Sequence, residues 1–341
     1  MATTTPAIFP ATSTPALAAS ATPMPTPEAS LTETPVSTPT TAPSAESACF
    51  PANFVPETFF PDSMRMLGRT DTGVVIFNLN TLEEERFIEA PQLVYRATLS
   101  PDGQTLAWAL EDNTIQLIRL SDQEVLATLT GHTNRVDALK FFPAGDRLAS
   151  GSNDGWVKIW DTQGNLLKEF LPGGLEVLGL GISPDGTRLV TITFEGPPKI
   201  WDLAEDKPIA ELGSSGASNP ADAVFSPDGR AVGISLGGFP TSLWQVPEGT
   251  QLWSGGNFSL ALSPDGRYLA HSDADEAGNP LVVLRSADGE EVMQTLSGHI
   301  GVIWRLLFSP DGSRLISAGE AMRVWEVPSG QLLNILGAEC P

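Results

Sequence analysis

From residue 53 onward the chain reads as short apolar runs separated by clusters of Gly, Pro, Asn and Asp. No amphipathic helical pattern interrupts them. Val136 to Phe142 is a β-rich run that stops at Pro143, where the ring fixes φ and Gly145 permits positive φ. Arg147 to Ser150 resumes as an alternating strand, and Asn153-Asp154-Gly155 is a hairpin signal. Trp156 to Trp160 reads as a third strand, Gln163-Gly164-Asn165 as another turn, and Leu166 to Phe170 as a fourth strand. The predicted unit is therefore a four-stranded antiparallel meander.

That unit recurs. Ser-Pro-Asp-Gly occurs with Pro at 101, 184, 227, 264 and 310, and degraded copies stand at Pro61 and Pro143. The successive steps are 40, 42, 41, 43, 37 and 46 residues. A second marker, an apolar or aromatic position at Phe77, Ile118, Trp160, Trp201, Trp244, Leu284 and Trp325, steps by 41, 42, 41, 43, 40 and 41. Two independent markers with one period predict seven blades stacked radially. A two-layer sandwich offers no reason for a period sustained over seven units. The predicted fold is all-β, a seven-bladed β-propeller with four antiparallel strands per blade, preceded by a disordered tail.

Composition divides the chain. Thr, Pro, Ala and Ser fill 38 of the first 48 positions, and nine of these are Pro. Such a segment buries too little apolar surface to offset chain entropy, so residues 1–48 are expected to be an extended tether and 49–341 the propeller. The start lacks Lys and Arg, and Pro6, Pro10 and Pro15 break any export-signal core. The tether is expected to be the stalk of a secreted or surface-anchored protein; the alternative is an ordinary disordered N-terminus in the cytoplasm. The whole chain holds 41 Asp plus Glu against 19 Lys plus Arg, a net −22, which disfavours nucleic-acid binding. No apolar stretch reaches the ~18–20 residues that cross a bilayer. Two Cys cannot build a four-thiolate zinc site.

Trp160-Asp161 and Trp201-Asp202, with Gly131-His132 and Gly298-His299, resemble the WD-repeat β-propellers over about residues 50 to 338. The likeness is to a bacterial-type member carrying an N-terminal Thr/Pro-rich tether. It is most specific in the third repeat, where it implies a structural tetrad of His132, Ser150, Asp154 and Trp160 hydrogen-bonded across the blade. The seventh repeat keeps His299, Ser317 and Trp325 with Glu320 near the Asp position. The fourth has Thr191, Glu195 and Trp201, the fifth Ile234 in the Ser position, and the sixth ends at Leu284; these blades are expected to rely on apolar packing alone. Such rings usually close by strand exchange between the termini, but here no strand is left over once the first unit starts near Asn53 and the last ends near Leu336. Cys49 and Cys340 flank the ring, and a disulfide between them is the expected clasp.

Catalytic chemistry is sparse. His132, His299 and His271 all fall at structural positions, and no nucleophile elbow, phosphate loop or metalloprotease motif occurs. The loop from Ser272 to Asn279 gathers Asp273, Asp275 and Glu276, oxygen ligands suited to calcium, but it lacks an EF-hand's ligand spacing and reads better as a solvated turn. No cofactor, metal or enzymatic activity is expected. The resemblance implies a platform whose loops bind proteins or peptides, with Tyr95, Arg135, Asp137, Phe258 and Trp304 as candidate contacts on one face. The expected function is a non-enzymatic protein- or peptide-interaction scaffold, a monomeric propeller on a tether. The alternatives are a propeller that senses or acts on a small ligand in its central channel, and one domain of a larger regulatory protein.

Overall fold

The Ser-Pro-Asp-Gly turns set the meander. In the computed structural model Ser100 Oγ donates to Asp102 Oδ1 at 2.5 Å and accepts from the Thr105 amide at 2.9 Å, while Gly103 takes φ of 69°. The same Ser–Asp bond forms at Ser183, Ser226, Ser263 and Ser309, so one turn chemistry reverses the chain after the first strand of five blades. The structure describes residues 53–213, 217 and 221–337, together with the backbone of 46–49.

Among the described residues there are seven sheets and no helix. Blade one runs from Val55 to Glu89, two from Val94 to Leu129, three from Val136 to Phe170 and four from Val177 to Glu211. Blade five spans Asp222 to Gly255, six Asn257 to Ser297 and seven Arg305 to Gly337. Each is a four-stranded antiparallel meander whose first strand lines the central channel. The expected seven-bladed propeller is what the chain forms.

Burial occurs between blades. Seven apolar clusters each span one pair of neighbours, from Leu67, Leu106 and Trp108 between blades one and two to Phe77, Ile316 and Val324 between seven and one. The uneven sixth repeat has a local cause. One residue, Gly256, joins blade five to blade six, and at φ of 64° a Cβ there would collide with His271 and the Ser272 carbonyl. Blade six then lengthens through a hairpin whose strands reach Ala274 and Pro280.

Ring closure differs from expectation. Glu46–Cys49 is a strand, and it pairs in parallel with the outer strand of blade seven, Glu46 against Asn334 and Cys49 against Gly337. Blade seven therefore has five strands, the fifth supplied by the N-terminus. The outermost strand offers unpaired backbone groups, and a segment with little apolar character satisfies them through its own backbone. Residues 1–45 and Cys340 lie outside the described residues, so the tether and the Cys49–Cys340 pairing do too. Blades seven and one also meet through Arg305 Nη2 donating to the Glu57 carbonyl at 3.0 Å and the Asp311 amide to Ser63 Oγ at 3.0 Å.

Candidate protein-interaction face

In an antiparallel meander, the loops that enter each first strand and those that join second to third strands emerge on the same face. Tyr95 is the second residue of blade two's first strand, Arg135 immediately precedes blade three's, Asp137 lies within it, and Trp304 precedes blade seven's. These four side chains line one pocket of about 380 Å³, together with Val55, Arg69, Arg96 and Arg305. The Arg135 guanidinium sits over the Tyr95 ring, 5.4 Å from its centre, and Arg135 Nη2 donates to Asp137 Oδ2 at 2.7 Å. Phe258 is placed elsewhere. It is half-buried in blade six with φ of 59°, at an irregularity in the strand pairing, and does not line the pocket.

Beneath the pocket, the channel of about 250 Å³ carries a charged ring from the first strands, including Glu57, Arg96, Asp137, Lys140, Asp222 and Arg305. Glu57 accepts from Arg69 Nε at 2.7 Å and lies 3.9 Å from Arg96 and 3.7 Å from Arg305. Arg96 Nε donates to the Asp137 carbonyl at 2.5 Å. Asp222 pairs with Lys140 at 3.0 Å and lies 3.9 Å from Arg305. Burial pushes Arg96 below its ordinary value; Glu57 opposes that shift and the adjacent Arg305 and Arg69 add to it. Burial would raise Asp222, but Lys140 and Arg305 hold its carboxyl below the usual range.

Glu57, Arg69, Arg96, Lys140, Asp222 and Arg305 were not foreseen from sequence. A usable signal was present: Arg96, Asp222 and Arg305 each stand five residues before the turn proline of their repeat.

The three histidines are occupied within blades. His132 Nδ1 faces Asp154 Oδ2 at 2.9 Å and Nε2 faces Ser150 Oγ at 2.8 Å, while Trp160 Nε1 donates to the same Ser150 oxygen at 2.9 Å. Because a carboxylate only accepts, the neutral ring donates from Nδ1 and accepts the Ser150 hydroxyl at Nε2, which leaves that hydroxyl oxygen for Trp160. Blade seven repeats the pattern with Glu320 in place of Asp, at 3.1 Å from His299, and Ser317 between His299 and Trp325 at 2.7 and 2.8 Å. Burial lowers the pKa of both rings. Blades two, four, five and six do not depend on apolar packing alone. Trp201 donates to Thr191 at 3.0 Å, Trp244 to Ser242 at 2.7 Å and Trp108 to Gln116 at 3.0 Å, because a buried indole N–H needs an acceptor. In blade six His271 occupies the second strand, receives Arg285 Nε at 3.1 Å, packs on Trp253, and is pushed by burial down to about 4.

In the acidic loop, Asp275 accepts the Ala277 and Asn279 amides at 2.9 and 2.8 Å, so its carboxylate caps the turn. Among the described residues no group of three or more His, Cys, Asp or Glu is arranged to hold a metal. No described helix is long and apolar enough to cross a membrane.

Two segments, residues 123–161 and 290–325, match the family of the WD domain, G-beta repeat. Each runs from the outer strand of one blade through the third strand of the next, and they end in the two blades with a His–Ser–acid–Trp network. The chain is 30% identical over 121 residues to Coronin-like protein crn1 of Schizosaccharomyces pombe, covering 35% of this chain and 20% of that protein. It is 25% identical over 205 residues to Transcription initiation factor TFIID subunit 5 of Caenorhabditis elegans, covering 59% and 32%. It is 35% identical over 124 residues to Target of rapamycin complex subunit wat1 of Schizosaccharomyces pombe, covering 36% and 40%. The chain thus matches less than half the length of each of these relatives.

Proposed function

We propose that this chain is a non-enzymatic scaffold that binds a protein or peptide on the loop face, with the Thr/Pro-rich segment as its tether. One observation carries the reading: an open pocket on that face gathers Tyr95, Arg135, Asp137 and Trp304, while His132, His271 and His299 are bound up inside blades. Aromatic and Arg side chains of this kind anchor interfaces. Relatives named as subunits of a transcription initiation factor and of a target of rapamycin complex support a role in assemblies. A photo-crosslinking residue at position 304 is expected to capture partner, and one at Met64, an exposed residue in the turn after blade one's first strand, is not. Capture at 64 and none at 304 would overturn the proposal.

The charged ring in the channel favours a second reading, in which a small ligand binds there. Its mark would be a rise in melting temperature with a small anion that disappears in Arg96→Gln.

For location, the names of a transcription initiation factor subunit and of a target of rapamycin complex subunit weigh toward the cytoplasmic alternative. The composition of the tail weighs toward export. The pairing of the Cys49 strand with Gly337, three residues before Cys340, supports the proposed disulfide. Thiol alkylation of unreduced protein decides it: no labelled Cys supports the bond, and two labelled Cys remove it.

A further inference from the structure

The mouth of the channel is basic in a strongly acidic chain. Four guanidinium groups, Arg69, Arg96, Arg135 and Arg305, line the pocket, and Asp137 is the acidic residue that joins them there. The whole chain carries −22, so this concentration of positive charge runs against the composition.

The guanidinium groups outnumber their carboxylates. Glu57 serves Arg69 directly at 2.7 Å, which leaves Arg96 and Arg305 at 3.9 and 3.7 Å from it, beyond hydrogen-bond reach. The Nε groups of Arg135 and Arg305 are buried and meet no acceptor of the protein. A carboxylate that entered the pocket would bring the surrounding guanidinium groups a further acceptor through charge-assisted bonds. The like-charge crowding of Arg96 by Arg305 and Arg69 would ease with the same ligand.

The walls and surroundings favour a peptide over a free anion. Tyr95 and Trp304 line the basic floor. The loop leading to Trp304 exposes Ile300 and Val302, 85% and 51% accessible. On the other side, the loop that enters blade four exposes Leu171 and Leu175. Apolar side chains on the loop face to either side of a basic pocket match a linear segment whose carboxylate is flanked by large apolar residues.

We propose that the pocket recognises a carboxylate side chain of an acidic, apolar-flanked linear segment in a protein partner, with Arg135 and Arg305 as its principal donors and Trp304 as its apolar anchor. This rests on the reading of the loop face as a protein-binding surface.

The test uses the full chain and fluorescein-labelled nonapeptides with degenerate Leu/Phe flanks and a central Asp, Asn or phosphoserine. The Asp pool is expected to bind at least about tenfold more tightly than the Asn pool, a difference of about 1.4 kcal/mol. Arg135→Gln and Trp304→Ala are each expected to weaken it at least about tenfold; because Trp304 also packs on the core between blades seven and one, Arg135→Gln is the variant expected to keep the melting temperature unchanged. Arg305→Gln is expected to do the same; because Arg305 also bonds to blade one, Arg135→Gln, whose side chain is partly exposed, keeps the test valid if that variant unfolds. Equal binding of Asp and Asn pools, lost in Trp304→Ala, would overturn the carboxylate inference and leave the peptide-binding face standing. Binding of the phosphoserine pool with none of the Asp pool would overturn it as well. No peptide binding, with citrate or inorganic phosphate stabilising the chain only when Arg96 is present, would overturn both readings in favour of a small ligand.

Discussion

Blades three and six solve the same packing problem with opposite means. In blade three, side chains from a loop, two strands and a hairpin form one network: His132 and Trp160 both bond to Ser150, Asp154 bonds to His132, and every polar atom of the histidine has a partner. In blade six the Ser position is His271 itself and the Trp position is Leu284, so the hub is gone and the imidazole turns to Arg285. The neighbouring interfaces differ too. Among the described residues, nine buried apolar residues pack between blades two and three, against four between blades five and six. Both blades nevertheless form the same meander. The polar network is a reinforcement of a blade whose shape is set by turns and alternation, and its loss alters strength and pH response before it alters fold.

The strongest way to break the contrast is Ser150→Ala. It strands the buried Trp160 N–H and removes the hydroxyl that His132 Nε2 faces, and is expected to cost about 4 kcal/mol, read from denaturant unfolding. Next comes pH. His271 titrates at about 4 in the fold against 6.5 when unfolded, so the unfolded chain binds the extra proton between these values. Stability from this residue is therefore complete above pH 6.5 and falls as pH drops toward 4, by about 3 kcal/mol. His271→Gln is expected to make the fall of the melting temperature in that window shallower, with His132 and His299, also lowered by burial, supplying the remainder. An unchanged slope would remove His271 as a source of acid sensitivity. The third test concerns the seam. Deleting residues 1–50, compared with deleting 1–45, removes the added strand of blade seven and is expected to cost about 2 kcal/mol in lost backbone pairing. Hydrogen exchange should then be fastest at the seam, whereas in the intact chain it should be fastest between blades five and six. The smallest effect is expected from Trp244→Phe, about 1 kcal/mol, because its N–H partner Ser242 is two residues away on the same strand.

Much of this was legible in the sequence because the period is carried by turns, and Ser-Pro-Asp-Gly means the same thing at Pro101 and at Pro310. The tetrad of His132, Ser150, Asp154 and Trp160 was legible for the same reason, since spacing within one repeat determines it. What escaped was set between repeats. Arg96 and Glu57 belong to neighbouring blades, and although Arg96 stands five residues before its turn proline, neither strand says which charge it will meet. The strand at Glu46–Cys49 escaped because it is held by backbone pairing and shows no apolar alternation. Phe258 holds the same place in blade six's first strand as Tyr95 in blade two's, yet it does not line the pocket that Tyr95 lines.

The pairing of Glu46 with Asn334 has a consequence for how the molecule is made. The first part of the ring to leave a ribosome finds its partner only when the last part has been synthesised. Blades two to six are able to stack on one another as they emerge, but until blade seven arrives blade one has an uncovered flank. A chain stopped before Leu332 would lack the strand that Glu46–Cys49 pairs with, so the ring is latched only after that strand has been made.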